Sequence, residues 1–139
     1  MFKLKRGKTK FVYLPVTPST AIAKGALVAF SSGKLIAATS SSAPQDIPGV
    51  LRHTIAATDA DYALDRLVEV EVPVELNTEW EADVTSGLVA ADIGLYQDLT
   101  DSVTVNRGAS NIDVVQCIKV ISTTKGVFFL NVGTLTETK

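Results

Sequence analysis

The clearest pattern in the chain is an alternation of apolar and polar side chains over residues 67–76. One face carries valines and the other carries mainly glutamates: Val68, Val70, Val72 and Val74 against Glu69, Glu71, Pro73 and Glu75. A period of two with β-branched residues on one face predicts a half-buried β-strand, with the valines in a core and the glutamates towards solvent or a neighbouring chain. Because Pro73 cannot donate to a ladder, we predict an edge strand or a donor side that faces solvent.

Other apolar runs follow at short intervals and are separated by turn residues. They predict strands at 26–30, 34–39, 50–57, 95–99, 103–105, 113–122 and 126–132. Two pairs of these runs flank short polar connections, Ser31-Ser32-Gly33 and Thr123-Thr124-Lys125, which predict hairpins. A spacing of about 8–12 residues is typical of an all-β sandwich or barrel. Residues 58–66 predict a loop that contains at most one turn of helix.

One short pattern occurs twice, as SGKLIAAT from Ser32 and as SGLVAAD from Ser86. Such a repeat fits two related half-barrels, and it also fits chance similarity between segments made of common residues. The pattern alone leaves both interpretations open.

Length and composition favour one folded domain. The chain has 139 residues, of which 46% are hydrophobic, and this size and composition suit a single core rather than a disordered chain. The first ten residues lack any apolar periodicity that could form a core. We therefore predict an all-β fold, a small β-barrel or sandwich over residues 11–139, preceded by an extended basic N-terminal arm over residues 1–10.

Charge is segregated along the chain. The first acid is Asp46, and the 45 residues before it carry seven basic residues, five of them within the first ten. The other 94 residues carry all 15 acids and six basic residues. A run of like charge repels itself and stays solvated, so it contributes nothing to a core, but it attracts a negatively charged partner. We therefore expect the arm to attach the protein to a partner, and the contact residues are predicted to be Phe2, Lys3, Leu4, Lys5, Arg6, Lys8 and Lys10.

The residues that usually carry catalysis are scarce. His53 is the only histidine, and its place in a predicted strand favours a structural role. Cys117 is the only cysteine, which excludes an intramolecular disulfide, and it lies in an apolar run as a small buried side chain. No phosphate-binding glycine loop, zinc-binding helix motif or nucleophile elbow is present. The sequence therefore predicts no enzyme, no catalytic residue and no cofactor.

Metal, membrane and nucleic-acid roles are equally weak. The acids at Asp59, Asp61, Glu79, Glu81 and Asp83 lack the spacing of a calcium loop and predict a solvated face, so no metal site is expected. No apolar run approaches the about 18 residues of a membrane span. Phe2 and Phe11 bracket the basic arm, as aromatic residues do on single-strand platforms. The excess of acids in the rest of the chain would repel phosphates, however, so nucleic acid is an unlikely partner.

A series of motifs spans most of residues 22–132. It consists of KGALVAF at 24–30, SGKLIAAT at 32–39, PGVL at 48–51, the valine–glutamate strand, DIGLYQDLTDSVTVN at 92–106 and VISTTKGVFF at 120–129. The most specific part is a glycine followed by an apolar strand with Asp and then the turn LTDS-x-TV. Together these motifs resemble the capsid decoration, or cement, proteins of tailed bacteriophages.

The resemblance implies a structural virion protein without catalytic residues. Its fold would be a compact β-barrel or tulip-like domain, and its partner would be the major capsid protein. It would be made in the host cytoplasm, lie on the capsid exterior and stabilise the shell, often as a homotrimer on a three-fold axis. The contact made by the basic arm is an inference from charge and is not supplied by the resemblance.

Two other functions compete with this hypothesis. The first is another phage structural subunit, in the tail or at the head–tail connector, although the sequence shows no long loop or helix for pore contacts. The second is a small nucleic-acid-binding β-barrel, which would place cations rather than glutamates on its strands.

Overall fold

A computed structural model of the protein describes residues 1–75 and 77–131. It is all-β, and its strands close into two five-stranded barrels, which confirms the predicted fold class. The residues of this range that are not in strands form turns, irregular connections and two short 3₁₀ turns, Pro44–Asp46 and Ala90–Asp92. The ends of two predicted strands, Leu76 and Val132, lie outside the described residues.

The first barrel is built from the N-terminal half of the chain. Its strands are β2 (Thr9–Val16), β3 (Leu27–Ser31), β4 (Lys34–Ala37), β5 (Gly49–Leu51) and β6 (Arg66–Pro73). Around the barrel they follow the order β2-β4-β3-β5-β6, and β6 closes onto β2. All pairs are antiparallel except β2 with β4, which are parallel through Val16 and Leu35.

The second barrel is built from the C-terminal half. Its strands are β7 (Glu79–Val84), β8 (Tyr96–Asp101), β9 (Thr104–Asn106), β10 (Val115–Ser122) and β11 (Lys125–Leu130). Their order is β7-β9-β8-β10-β11, and again only one pair, β7 with β9, is parallel. A further strand from the N-terminus, β1 (Lys3–Arg6), adds to β7 beside β9.

The two barrels are the same unit built twice. The first, second, third, fourth and fifth strands of each half have the same order, directions and pairings. Individual backbone hydrogen bonds also correspond: Gly25 donates to Leu51 (2.9 Å) where Gly94 donates to Cys117 (2.8 Å). Both glycines have a positive φ, which side chains disfavour. Equivalent positions can therefore be assigned strand by strand.

The repeated SG pattern does not coincide with this structural repeat. Ser32 and Gly33 form the two-residue turn between β3 and β4, both with positive φ, as hairpin turns prefer. Ser86 and Gly87 instead lie between β7 and β8. The two segments thus occupy different places in their barrels, although the molecule does contain two related halves.

Each barrel has its own apolar interior. In the first barrel it includes Val16, Val28, Leu35, Leu51, Val70 and Val72. In the second it includes Trp80, Val84, Val105, Cys117, Phe128 and Leu130. Leu27, Ala29 and Val50 of the first barrel belong to the second cluster, so the barrels also pack against each other. The described part of the predicted β domain, residues 11–75 and 77–131, thus contains two barrels that share this apolar contact.

The valine–glutamate strand forms as β6, but the outward position predicted for its glutamates is wrong for Glu71, and of the two alternatives drawn from Pro73 the edge strand is wrong. Val70 and Val72 are buried as expected, yet Glu71 is also buried, with 8% exposure. Its carboxylate accepts a hydrogen bond from Thr9 Oγ1 (2.8 Å) and lies 3.8 Å from the Arg52 guanidinium. The strand is not an edge either, because it lies between β2 and β5. Pro73 is tolerated because it is the last residue of the strand, where the β5 ladder has ended.

The other predicted strands form with shifted bounds, and both hairpins are confirmed. The largest error concerns residues 50–57, of which only the part up to Leu51 is a strand, followed by one isolated bridge between Ile55 and Ile22. The predicted strand from residue 113 begins at Val115, because Asp113 has a φ of 64°. Residues 58–65 form turns without a helix.

Candidate attachment surface

The segment predicted as a basic arm is part of the β-structure: it forms strand β1, which pairs with β7, and the beginning of β2. Lys3, Leu4, Lys5 and Arg6 make up β1, and Lys10 belongs to β2. Phe2 is only 2% exposed, packs in the larger apolar cluster and donates its backbone N–H to Gly25 O (2.7 Å). The prediction that residues 1–10 lack a place in the core is therefore wrong. The buried ring of Phe2 attaches this segment to the core, a role that the run of basic residues around it did not indicate. From this buried position Phe2 cannot contact a partner.

Part of the basic charge is paired within the chain. β1 lies antiparallel to β7, so Lys5 Nζ comes to 3.6 Å from Glu81 Oε1 and Arg6 Nη1 to 3.8 Å from Glu79 Oε2. Exposed pairs of this kind contribute little stability, about 0–1 kcal/mol each. They do show that the acids of β7, interpreted from sequence as a solvated face, are neighbours of the basic strand.

Three of the predicted contact residues have no ion-pair partner in the described part of the chain. These are Lys3, Lys8 and Lys10, all exposed. Lys8 directly precedes β2 and Lys10 is its second residue, so both come just before the exposed aromatic residues of this strand. The charge available to an outside partner is therefore concentrated at the junction between β1 and β2.

The outer side of the first barrel carries an exposed aromatic surface that sequence reasoning missed. Phe11 is 53% exposed and Tyr13 is 63% exposed, and Leu67 is similarly open. The Arg52 guanidinium lies 4.7 Å from the centre of the Phe11 ring, which fixes one edge of this surface through a cation–π contact. The sequence feature that could have predicted this surface is the segment TKFVYLPV, residues 9–16. It is apolar at both odd and even positions, so when one face of the strand packs in the core the other exposes apolar side chains.

A second exposed apolar area lies on the other barrel. Val89, Ile93, Leu95 and Tyr96 are each about half exposed, in and after the connection between β7 and β8. Clusters of exposed apolar side chains are commoner at interaction sites than on free monomer surfaces. The molecule therefore has two candidate contact areas, one on each barrel.

His53 and Cys117 occupy separate environments. His53 does not lie in a strand as predicted: it follows β5, its side chain is exposed, and Nε2 lies 3.4 Å from Glu69 Oε1. Cys117 is fully buried in β10, and burial raises the pKa of its thiol, which lowers its reactivity at neutral pH. Neither side chain has a catalytic partner that the structure brings to it among the described residues.

Two of the acids considered above as possible metal ligands, Asp59 and Asp61, form ion pairs with a basic residue of the same chain. Arg66 pairs with Asp61 and, at 3.2 Å, with Asp59, and the hydrogen bond that Arg66 donates to Asp61 holds the pKa of Asp61 below its usual range. Within residues 1–75 and 77–131, no group of three or more His, Cys, Asp or Glu side chains is arranged to hold a metal ion. The same residues contain no helix long and apolar enough to cross a membrane.

Asp98 organises the loop that precedes β10. Its carboxylate accepts backbone N–H groups from Asn111 (2.9 Å), Ile112 (2.8 Å) and Asp113 (2.8 Å). Burial alone would raise the pKa of Asp98, but these three donors outweigh burial and hold the pKa below its usual range. The role of Asp98 is therefore structural.

The fold is that of an all-β protein of two tandem five-stranded barrels, and its surface carries a basic and aromatic candidate contact area. No protein-family model matches the chain, and a comparison with curated proteins gives no match.

Proposed function

We propose that the protein is a structural virion component, a capsid decoration protein that binds the outer surface of the major capsid protein and stabilises the shell. The proposal is supported by the motif series of residues 22–132. The observation that carries it is the exposed segment at the start of β2, where Lys8 and Lys10, which have no ion pair in the described part of the chain, directly precede or alternate with the exposed residues Phe11 and Tyr13. Exposed aromatic side chains are enriched at protein interfaces, and exposed lysines attract an acidic partner.

The two-barrel architecture suits a protein that clamps others. Closed barrels leave few free strand edges, so the unit keeps its shape when it is bound at high local density. Apolar areas on both barrels would let one molecule contact two neighbours at once. Under this proposal the second area, around Ile93 and Tyr96, is where copies of the protein meet on the shell, as a homotrimer. The protein would have no enzymatic activity.

The proposal is tested by adding the purified protein to undecorated phage shells and measuring occupancy across a salt series. We expect saturable binding that weakens as salt rises, because exposed charges are screened over about 8–10 Å at physiological ionic strength. Deleting residues 2–10 is not a suitable test, since it would remove the buried Phe2. The double variant Lys8→Gln/Lys10→Gln is suitable because both side chains are exposed and unpaired.

The matched control is Lys24→Gln/Lys119→Gln, which removes two other exposed lysines that have no ion pair in the described chain. We expect occupancy and salt dependence to fall for the first double variant and to stay near wild type for the second. Binding to tails or connectors in place of shells would assign the protein to the alternative class of phage structural subunit. Absence of binding to any virion part would overturn the proposal.

A further inference from the structure

One strand edge of the first barrel is open. Val74 donates its N–H to Lys8 O (3.0 Å), and residues 8 and 74 extend the β2–β6 register. In an antiparallel ladder, directly opposite residues alternate between bonded and non-bonded pairs. The even-numbered residues of β2 therefore bond to β6, and the N–H groups of Thr9, Phe11 and Tyr13 point to the other side.

On that other side, β2 has only the single pair between Val16 and Leu35 of β4. In the described part of the chain no strand pairs with Thr9, Phe11 or Tyr13 there. Pro15, which occupies the next outward-pointing position, has no N–H to donate. The edge available for pairing is thus about five residues long, from Thr9 to Tyr13.

The second barrel shows what belongs at this place. By the repeat, Phe11 and Tyr13 correspond to Glu79 and Glu81, because Val12 pairs with Val70 where Trp80 pairs with Phe128. Glu79 and Glu81, with Trp80 between them, are the β7 residues that pair with β1. The same edge is therefore filled by a four-residue strand in one barrel and is open in the other.

The chemistry of the two edges differs. The edge of β7 is acidic and takes a basic strand, Lys-Leu-Lys-Arg. The edge of β2 carries aromatic side chains, and the unpaired Lys8 and Lys10 lie beside it. Charge complementarity therefore requires a strand that brings carboxylates to the lysines and apolar side chains to the rings.

We infer that the β2 edge is a strand-addition site for an extended segment of another protein in which acidic and apolar residues alternate. Backbone hydrogen bonds to Phe11 and Tyr13 would provide affinity, and the flanking side chains would select the segment. Since this rests on the proposed function, the segment belongs to the major capsid subunit.

A second copy of the chain fits the edge less well. Its β1 is basic, and placing it on β2 would bring Lys3, Lys5 and Arg6 towards Lys8 and Lys10. Pairing β2 with β2 of a second copy would place four lysines, Lys8 and Lys10 of each copy, along the same interface. Both arrangements put like charges together, which an acidic segment avoids.

The test distinguishes the contribution of the Tyr13 backbone N–H to binding from the contribution of the Tyr13 side chain. Tyr13→Pro removes an outward N–H and leaves every bond to β6 in place, and Pro15 shows that β2 accepts proline at such a position. Tyr13→Ala removes the same aromatic ring but keeps the N–H. Both variants are compared with wild type for occupancy of undecorated shells, after thermal unfolding has shown that each is folded.

We expect Tyr13→Pro to bind at least about tenfold more weakly than Tyr13→Ala, because proline removes a pairing hydrogen bond and its ring obstructs the incoming strand. Hydrogen exchange on wild type should show that the Phe11 and Tyr13 amides become protected on the shell. If Tyr13→Pro does not fold, this protection decides the question by itself.

Two results would overturn the inference while leaving the proposed function intact. One is equal occupancy for the two variants without protection of these amides. The other is a wild-type dimer in solution that Tyr13→Pro dissociates, which would make a second copy the occupant. Failure of wild type to bind shells would instead overturn the proposed function, and this inference with it.

Discussion

The two barrels share one set of strand pairings but fill their interiors with different side chains. Where the first barrel has Val12 and Val70, the second has Trp80 and Phe128; where the first has Leu35 and Leu51, the second has Val105 and Cys117. Larger residues at two positions are thus only partly offset by smaller ones at two others. The comparison teaches that ladder registers and turn positions define this unit, while the side chains of its interior can differ.

The barrels differ more in their surroundings than in their backbones. The second barrel holds β1 on its edge and a loop organised by Asp98. The first has an open edge and exposed aromatic residues at the positions equivalent to the acids of β7. In a protein that contains the same unit twice, one copy can have a covered strand edge while the other leaves the equivalent edge open to a partner.

The largest effect should come from the position where the interiors differ most. Trp80 is fully buried and its Nε1 donates to Thr78 Oγ1 (2.9 Å), whereas the equivalent Val12 is half-buried. Trp80→Ala should lower the free energy of unfolding by about 3–5 kcal/mol, since it leaves a large cavity. Val12→Ala should cost much less. Denaturant unfolding measures both, and equal losses would contradict the assignment of Val12 as its smaller counterpart.

The Asp98 loop exists only in the second barrel, where Asp98 replaces Ala29 of the first. Asp98→Asn should lower stability at pH 7 by about 1.5–3 kcal/mol, because charge-assisted hydrogen bonds to three N–H groups are weakened. The folded-state pKa of Asp98 is lowered, so its contribution to stability is fully present above the unfolded-state pKa of about 3.9 and is lost progressively as pH falls from there through the lower folded-state pKa.

The stability of wild type and Asp98→Asn should therefore converge below about pH 4. Thermal unfolding across pH 2–7 measures this convergence. Asp83 and Asp92, whose pKa values are also lowered, titrate in both proteins and cancel in the difference. A gap that is independent of pH would show that Asp98 acts through packing.

The smallest effect, and the only gain, should come from Gln97. It is 2% exposed, and neither atom of its amide has a hydrogen-bond partner in the described part of the chain; the first barrel has Val28 at this place. Gln97→Met keeps the volume and removes the unpaired polar group, so it should raise stability by about 1 kcal/mol. Val28→Gln is the reverse control and should destabilise. A loss of stability in Gln97→Met would mean that the amide is bonded in solution.

Local features of the fold could be predicted from the sequence. Ser32-Gly33 and Thr123-Thr124 each join two β-rich runs, and period-two alternation marks β6 without reference to its neighbours. Trp80 could be assigned to a core because it alternates with Glu79 and Glu81. These signals depend on residues close together in the chain.

Features that depend on distant residues could not be predicted. Closure requires two parallel pairs, Val16 with Leu35 and Val84 with Val105, which no local pattern specifies. The basic segment was interpreted as an arm because its partner strand is more than 70 residues away. The attachment surface was therefore placed on Phe2 to Lys10, whereas the structure leaves Lys8, Lys10 and the adjoining aromatic residues exposed.

The pairing of β1 with β7 has a consequence for synthesis on the ribosome. β1 leaves the ribosome before β7, and the acids that receive it, Glu79 and Glu81, follow more than 70 residues later. At about 5–20 residues per second, that delay is several seconds, and all strands of the first barrel are made before it ends. Lys3, Lys5 and Arg6 keep the waiting segment hydrated and repel the same segment on neighbouring nascent chains. Its charge therefore serves the molecule before folding is complete as well as after.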